Sequence, residues 1–347
     1  MAGSESNSEK SKISVEPRQA VIFFPTAGAL VDGEWRVWIH GWIYTPAQQS
    51  RMRRMALAMV KRILRRRVPA DDPGMPLFDQ RAASFLADNR RNVRMEVRIG
   101  EEVVRLKRSR GDGHFLSPVK IPRELMEKVT ARSDAAWLEF VTVSPQCTPE
   151  PCNGRVMLLA PTGLSVISDI DDTLKVTEVA QRRAMLRNTF LRDFASVPDM
   201  AALYRYWQTA HHAAFHYVSA SPWHLYPFLA EFLREKHFPE GTFHLRDFRL
   251  VPGHIARSIR PGKRVKVRHI RELLKRFPDR RFILVGDSGE ADPETYGRLF
   301  RDFPGQIQKI CIRNITEEEA DHARWEKAFA SLPSERWQVF THPEELV

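Results

Sequence analysis

Cysteine is scarce in this chain, with Cys147, Cys152 and Cys311 the three among 347 residues. Without a C-x-x-C pair, so few exclude a disulfide scaffold and a zinc site built by spacing. Reduced thiols are therefore expected, and a bridge between Cys147 and Cys152 is disfavoured in a cytoplasmic protein. Long apolar runs are also missing. No stretch approaches the roughly twenty uninterrupted apolar residues of a spanning helix, and Met1 to Lys10 holds no apolar signal core. Neither a span nor a signal peptide is predicted, and the expected location is the cytoplasm, with a peripheral place on the membrane left open. Acidic side chains fall short of basic ones, 43 against 54, for a net charge of +11. The long-range field thus favours anionic partners such as phospholipid headgroups, phosphoproteins or nucleic acid.

One cluster of acids runs against that basic background. Asp169-Ile170-Asp171-Asp172-Thr173 follows the apolar run Leu164-Ser165-Val166-Ile167, which reads as a buried strand. Carboxylates two apart at a strand's carboxyl end project together into the crevice of an open α/β sheet, where they can share a cation and a phosphate. Mg2+ suits an all-oxygen donor set. An acidic turn after a strand is the bland alternative.

Three later boundaries bear on that choice. Phe215-His216-Tyr217-Val218 ends on Ser219, Lys266 opens the amphipathic stretch from Val267 to Phe277, and Phe282-Ile283-Leu284-Val285 runs into Gly286-Asp287, with Asp292 beyond. In this order, D-x-D-x-T, Ser, Lys and an acidic pair resemble the four motifs of the haloacid dehalogenase superfamily. Ser168 to Thr173, Ser219-Ala220-Ser221-Pro222-Trp223, and Gly286 to Gly289 with Asp292 and Tyr296 are similar, more narrowly, to the catalytic domain of the actin-patch-type phosphatidate phosphatases. That resemblance covers about 161–315, and Ala220 departs from it where a polar residue such as Asn is expected.

The resemblance implies Asp169 as nucleophile and Asp171 as acid/base, with neighbouring carboxylates raising the Asp171 pKa. It implies Ser219 and Lys266 on the phosphate oxygens, and Mg2+ held by Asp169, Asp287 and the main-chain carbonyl of Asp171, with Asp292 either a further ligand or a residue just behind them. The substrate it implies is phosphatidate, giving diacylglycerol. A soluble phosphomonoester, a phosphoprotein, or a non-enzymatic anionic-surface adaptor are the alternatives. Asp172 reads as an orienter of metal waters or as a turn residue, and Thr173 as a hydrogen bonder that fixes the loop. Lys175, Arg182, Arg183 and Arg187 read as a solvated face or, alternatively, as selectors of an anionic substrate.

The predicted fold is α/β: a haloacid-dehalogenase-like Rossmannoid parallel sheet with helices on both faces over 161–347, after an antiparallel β-sandwich-like domain over 20–160. Residues 1–19 are polar and predicted disordered. Strands are expected near 164–168, 214–218, 243–250, 281–285 and 307–312, and helices near 199–210, 223–236, 267–277, 293–301 and 316–330. Ser221 is expected to cap the helix that Pro222 opens. Earlier strands are expected at 20–24, 35–44, 93–99, 103–107 and 137–143 from their β-branched and aromatic content. Within 49–68, Met52, Ala56, Met59, Val60 and Ile63 share a helical face. Eight basic residues and no acid lie between Arg51 and Arg67. Such a helix lies on an anionic membrane surface or packs on the β domain. With no aromatic among its basic residues, nucleic acid is not an expected partner.

Overall fold

The computed structural model describes residues 19–46, 72–122, 137–143, 147–148, 152–247, 263–319 and 323–347. Of the segment predicted disordered over 1–19, residues 1–18 lie outside them and Gln19 opens the first strand; the basic helix over 49–68 lies outside them. The amino-terminal half comprises β1 (Gln19–Phe24), β2 (Thr26–Val31), β3 (Glu34–Thr45), α1 (Met75–Leu86), β4 (Asp88–Asn89), β5 (Glu96–Ile99), β6 (Glu102–Arg105), β7 (His114–Ile121), β8 (Trp137–Thr142), β9 (Cys147–Thr148) and β10 (Asn153–Leu159). Asp32 and Gly33 both take positive φ and turn β2 into β3, the conformation a two-residue hairpin demands.

These strands form one ten-stranded sheet in the order β6-β5-β8-β10-β2-β3-β1-β9, with β4 and β7 also on β3. Most neighbours are antiparallel, as expected for this half, while β1 with β9 and β10 with β2 pair parallel. Chain connectivity explains this: β10 returns to the start of the sheet and pairs with β2 in the same direction before running on into the second sheet. Val37, Ile39 and Ile43 on β3, with Val21, Phe23, Val97, Phe115, Leu138 and Phe140, close one core at the pleat's two-residue period. The reduced-thiol expectation fails at Cys152, which is disulfide-bonded and buried, whereas Cys311 is a buried free thiol.

From β11 (Leu164–Ser168) the chain alternates: α2 (Arg182–Phe190), α3 (Met200–His211), β12 (Ala214–Pro222), α4 (Tyr226–Glu235), β13 (Gly241–Arg246), α5 (Lys263–Arg276), β14 (Arg281–Asp287), α6 (Asp292–Asp302), β15 (Ile307–Arg313), α7 (Ala323–Ala328) and β16 (Trp337–Phe340). Every pairing in this second sheet is parallel, in the order β13-β12-β11-β14-β15-β16. Val166, Phe215, Ile283 and Val285 face α3 and α4, while Ile167, Phe282, Leu284 and Ile310 face α5, α6 and α7. Helices therefore cover both faces, and the strands read as continuous apolar runs because neither face meets water. The expected helix over 316–330 shortens to α7, and β16 extends the sheet beyond the five predicted strands.

The two sheets share their cores. Phe24 and Trp42 join the α3 side, whereas Ala27, Ala29, Met157 and Leu159 join the α5 side. Arg276 of α5 lies 3.7 Å over the Trp38 ring, and Arg280 reaches across to the carbonyls of Ala160, Thr162 and Leu164. Among the described residues no helix is long and apolar enough to cross a membrane.

Candidate active site

Strand order reverses at β11, which sends β12 and β13 to one side and has β14, β15 and β16 on the other. In open α/β sheets the crevice beyond the strand ends at such a switch point is where ligands bind. Asp169 follows β11 there, its N–H still donating to Val285 O at 2.9 Å, and Asp287 ends β14. Asp292 begins α6 directly above, and Gly286 leaves it room: a Cβ on Gly286 would sit 2.5 Å from Asp292 Oδ2.

Asp169, Asp287 and Asp292 are all buried, and one carboxylate oxygen from each lies within 4.8 Å of the others. Lys266 Nζ stands among them, 2.9 Å from Asp169 Oδ1, 3.1 Å from Asp292 Oδ1 and 2.7 Å from Glu290 Oε2. Burial pushes the Asp169 carboxyl well above the usual range; Lys266 opposes the rise, and Asp292, Asp287 and Glu290 add to it. Asp287 is raised likewise, by burial first and then by Asp292. Burial would lower Lys266, but the charges of Asp169, Asp292 and Glu290 outweigh it and raise its pKa. Asp287 Oδ1 accepts from the N–H groups of Gly289 and Glu290, while its buried Oδ2 accepts no hydrogen bond from the described residues. Three buried carboxylates, one with an unpartnered oxygen, form a donor set that fits a hard divalent cation.

Asp171 turns elsewhere, so the two carboxylates of the D-x-D pair do not share one partner. Its Oδ1 meets Lys175 Nζ at 2.8 Å and accepts from Thr177 Oγ1 at 2.9 Å. Its Oδ2 accepts from Ser219 Oγ at 2.8 Å and Ser221 Oγ at 2.9 Å. Burial would raise this carboxyl, yet the Lys175 charge and the hydrogen bonds from Lys175, Ser219 and Ser221 outweigh it and hold the pKa below the usual range. The expectation of a raised pKa is thereby corrected, because the nearest charge is an ammonium and not a carboxylate. Asp171 also stands outside the carboxylate triad.

Lys175, expected on a solvated face, is 1% exposed and stacked 4.7 Å from the Phe194 ring centre. It is the residue that sequence reasoning missed; its spacing of four from Asp171 was a signal, weak without the turn between them. Ser221 does not cap a helix, since β12 runs through Pro222 and the 3-10 turn Trp223–Leu225 has no side-chain cap. Asp172 resolves to the turn role. Its φ is +56°, and its carboxylate accepts from the N–H groups of Thr177, Glu178 and Val179, anchoring the segment that follows. Thr173 Oγ1 reaches Asp169 Oδ2 at 3.5 Å.

The family model for the phosphatidate phosphatase APP1 catalytic domain matches residues 164–314, which contain every one of these side chains. Phosphatidate phosphatase APP1 of Saccharomyces cerevisiae is 38% identical over 169 residues, 47% of this chain and 28% of that protein. An uncharacterised protein of Schizosaccharomyces pombe is 31% identical over 167 residues, 47% of this chain and 27% of its own length. The chain thus spans under a third of either relative. A 2,6-sialyltransferase from Photobacterium sp. JT-ISH-224 superposes at a TM-score of 0.22 and 11% identity, covering 58% of this chain and 32% of that one, too little overlap to argue a shared fold. Residues 164–314 of this chain are thus similar to the catalytic domain of phosphatidate phosphatase APP1.

Proposed function

We propose that this protein is a magnesium-dependent phosphatase of the haloacid dehalogenase type, built from a sandwich-like domain over 20–160 and a phosphatase domain over 161–347. It hydrolyses a phosphomonoester through an aspartyl-phosphate, with phosphatidate as the substrate and diacylglycerol as the product. The observation that carries this reading is the pairing of Asp169 and Lys266 at the switch point, 2.9 Å apart, beside the Asp287 and Asp292 carboxylates. The similarity to a phosphatidate phosphatase supports the substrate.

Asp169, Asp287, Asp292 and the main-chain carbonyl of Asp171 would hold Mg2+, which screens the phosphate charge from the attacking carboxylate. Asp169 attacks phosphorus in line, forming an Oδ–P bond as the ester P–O bond breaks. Lys266 and Ser219 bind the non-bridging oxygens. Asp171 gives its proton to the departing alkoxide, then takes one from the water that attacks phosphorus and frees Asp169. To carry that proton Asp171 must shed part of its present hold. An arriving phosphate competes for Ser219 and sets negative charge beside Asp171, and both changes raise its proton affinity. With a lipid substrate and no described helix able to cross a bilayer, action at an anionic membrane surface from the cytoplasm is the matching setting.

A substrate panel tests this reading. Phosphatidate in mixed micelles, sugar phosphates, nucleotides and phosphopeptides are compared with Mg2+ and with chelator. Magnesium-dependent release highest from phosphatidate is the expected result. Preference for any soluble ester would move the substrate class, and no release from any of them would end the phosphatase reading.

A further inference from the structure

Two loops grip Asp171, and residues of the amino-terminal half back both. On one side, two cations lie over the Phe194 ring, with the Arg81 guanidinium 3.9 Å from its centre and Lys175 Nζ 4.7 Å away. An aromatic face attracts cations most strongly where water is excluded, and both of these side chains are buried. Arg81 Nη1 also donates to Thr189 O at 2.8 Å and Arg192 O at 2.7 Å, carbonyls at and just past the end of α2 that have no partner within the helix. Ahead of α1, Asp72 takes a two-pronged bond from Arg192 at 2.6 and 2.9 Å. Gly74 sits so close that a Cβ there would collide with the Leu191 carbonyl oxygen.

The main chain completes the link. Val176 N–H donates to Ala195 O and Val197 N–H to Leu174 O, at 2.9 and 2.8 Å, so the strip carrying Phe194 is bonded on either side of Lys175. On the other side of Asp171, beyond Ser219 and Ser221, Phe85 of α1 stacks 4.7 Å from His224, and Phe24 packs 4.3 Å from Trp223.

We infer that Arg81 is a positioning residue: through Phe194 it fixes Lys175, and through Lys175 it fixes Asp171. The amino-terminal half is then a working part of the active site. Its effect on turnover rests on the phosphatase reading; its effect on the loop rests on geometry alone.

The test uses the full chain with Arg81→Met, Arg81→Lys, Phe194→Leu and the Arg81→Met/Phe194→Leu double variant. Turnover of p-nitrophenyl phosphate with Mg2+ is read beside amide hydrogen exchange. In Arg81→Met, kcat is expected to fall about tenfold with KM within about twofold, because Lys266 stays in place. Arg81→Lys keeps a cation over the ring and recovers part of the loss. If Arg81 acts through Phe194, the double variant is no slower than the worse single one, whereas independent effects multiply. Exchange at Val176 and Val197 should quicken about tenfold in Arg81→Met while β11 and β14 keep their protection. Multiplying effects, a rise in KM alone, or unchanged exchange at Val176 and Val197 would overturn the inference. Wild-type protein inactive on every phosphomonoester would remove the phosphatase reading, and the exchange data would then decide the positioning role by themselves.

Discussion

Replacing Lys266 with Met probes the charge balance of the site. The ammonium lies within 3.1 Å of three carboxylates, Asp169, Glu290 and Asp292, and Asp287 joins the same cluster. Removing one partner of a buried ion pair typically costs about 3–5 kcal/mol, since the remaining charge stays desolvated. Three carboxylates losing one cation place Lys266→Met near the upper end of that range at pH 8 in chelator. Protonation supplies relief. The Asp169 and Asp287 carboxyls hold protons more tightly folded than unfolded, so their ionisation opposes folding. Their stabilising contribution is whole below about pH 4, the unfolded value, and is lost as pH rises through their folded-state values. The Lys266→Met deficit should therefore shrink as pH falls from 8 towards 5. A divalent cation offers a second route. Mg2+ at a hundred times its dissociation constant stabilises the folded state by about 2.7 kcal/mol. Urea unfolding at several pH values, with Mg2+ and with chelator, reads both effects. A variant as stable as wild type at pH 8 in chelator would refute the reasoning, as would one whose deficit is the same at pH 5.

Other perturbations follow from the same geometry. Gly286→Ala places a methyl group against Asp292 Oδ2 and the Tyr296 ring, costing about 1–3 kcal/mol by overpacking and weakening Mg2+ binding as read by calorimetry. His114 is held at about 4, chiefly by burial, with His40 3.3 Å away. Its depressed pKa makes stability present above about 6.5 and lost as pH falls towards 4. His114→Gln should flatten the acid limb of the wild-type stability curve over that window. Replacing Arg62, Arg65, Arg66 and Arg67 with Gln separates the two expectations for 49–68: a membrane-surface role predicts release from anionic liposomes in a pelleting assay, each Arg contributing about 1 kcal/mol, and packing on the β domain predicts no change. Hydrolysis of a soluble chromogenic phosphate should persist.

Much of the catalytic half was legible because buried parallel strands announce themselves. Leu164–Ser168, with Asp169 next, and Arg281–Asp287 are apolar runs that lead into acids, and the structure places them within two residues of the expected bounds. The amino-terminal half was harder to read. Thr26–Val31 is rich in Ala and Gly, so β2 lacked the β-branched signature, and the Asp32-Gly33 turn that makes the hairpin went unread. Pro118 hid β7, which pairs with β3 despite it. Helix α1 carries its buried side against α2 and the turn after β12, contacts set by folding across more than a hundred residues. Within the site, residue types and order named Asp169, Lys266, Asp287 and Asp292. What could not be read was the direction of the Asp171 shift, because it depends on a left-handed turn at Asp172 that brings Lys175 back onto the carboxylate.

The covalent role of Asp169 is the central claim, and a pre-steady-state burst tests it most directly. p-Nitrophenolate leaves without needing a proton, so Asp171→Asn should still form the aspartyl-phosphate yet hydrolyse it slowly. The account predicts a nitrophenolate burst equal to the enzyme present in Asp171→Asn, with a phosphoryl group on the peptide carrying Asp169, and no burst in Asp169→Asn. A burst that survives in Asp169→Asn, or a phosphoryl group found on another residue, would contradict it.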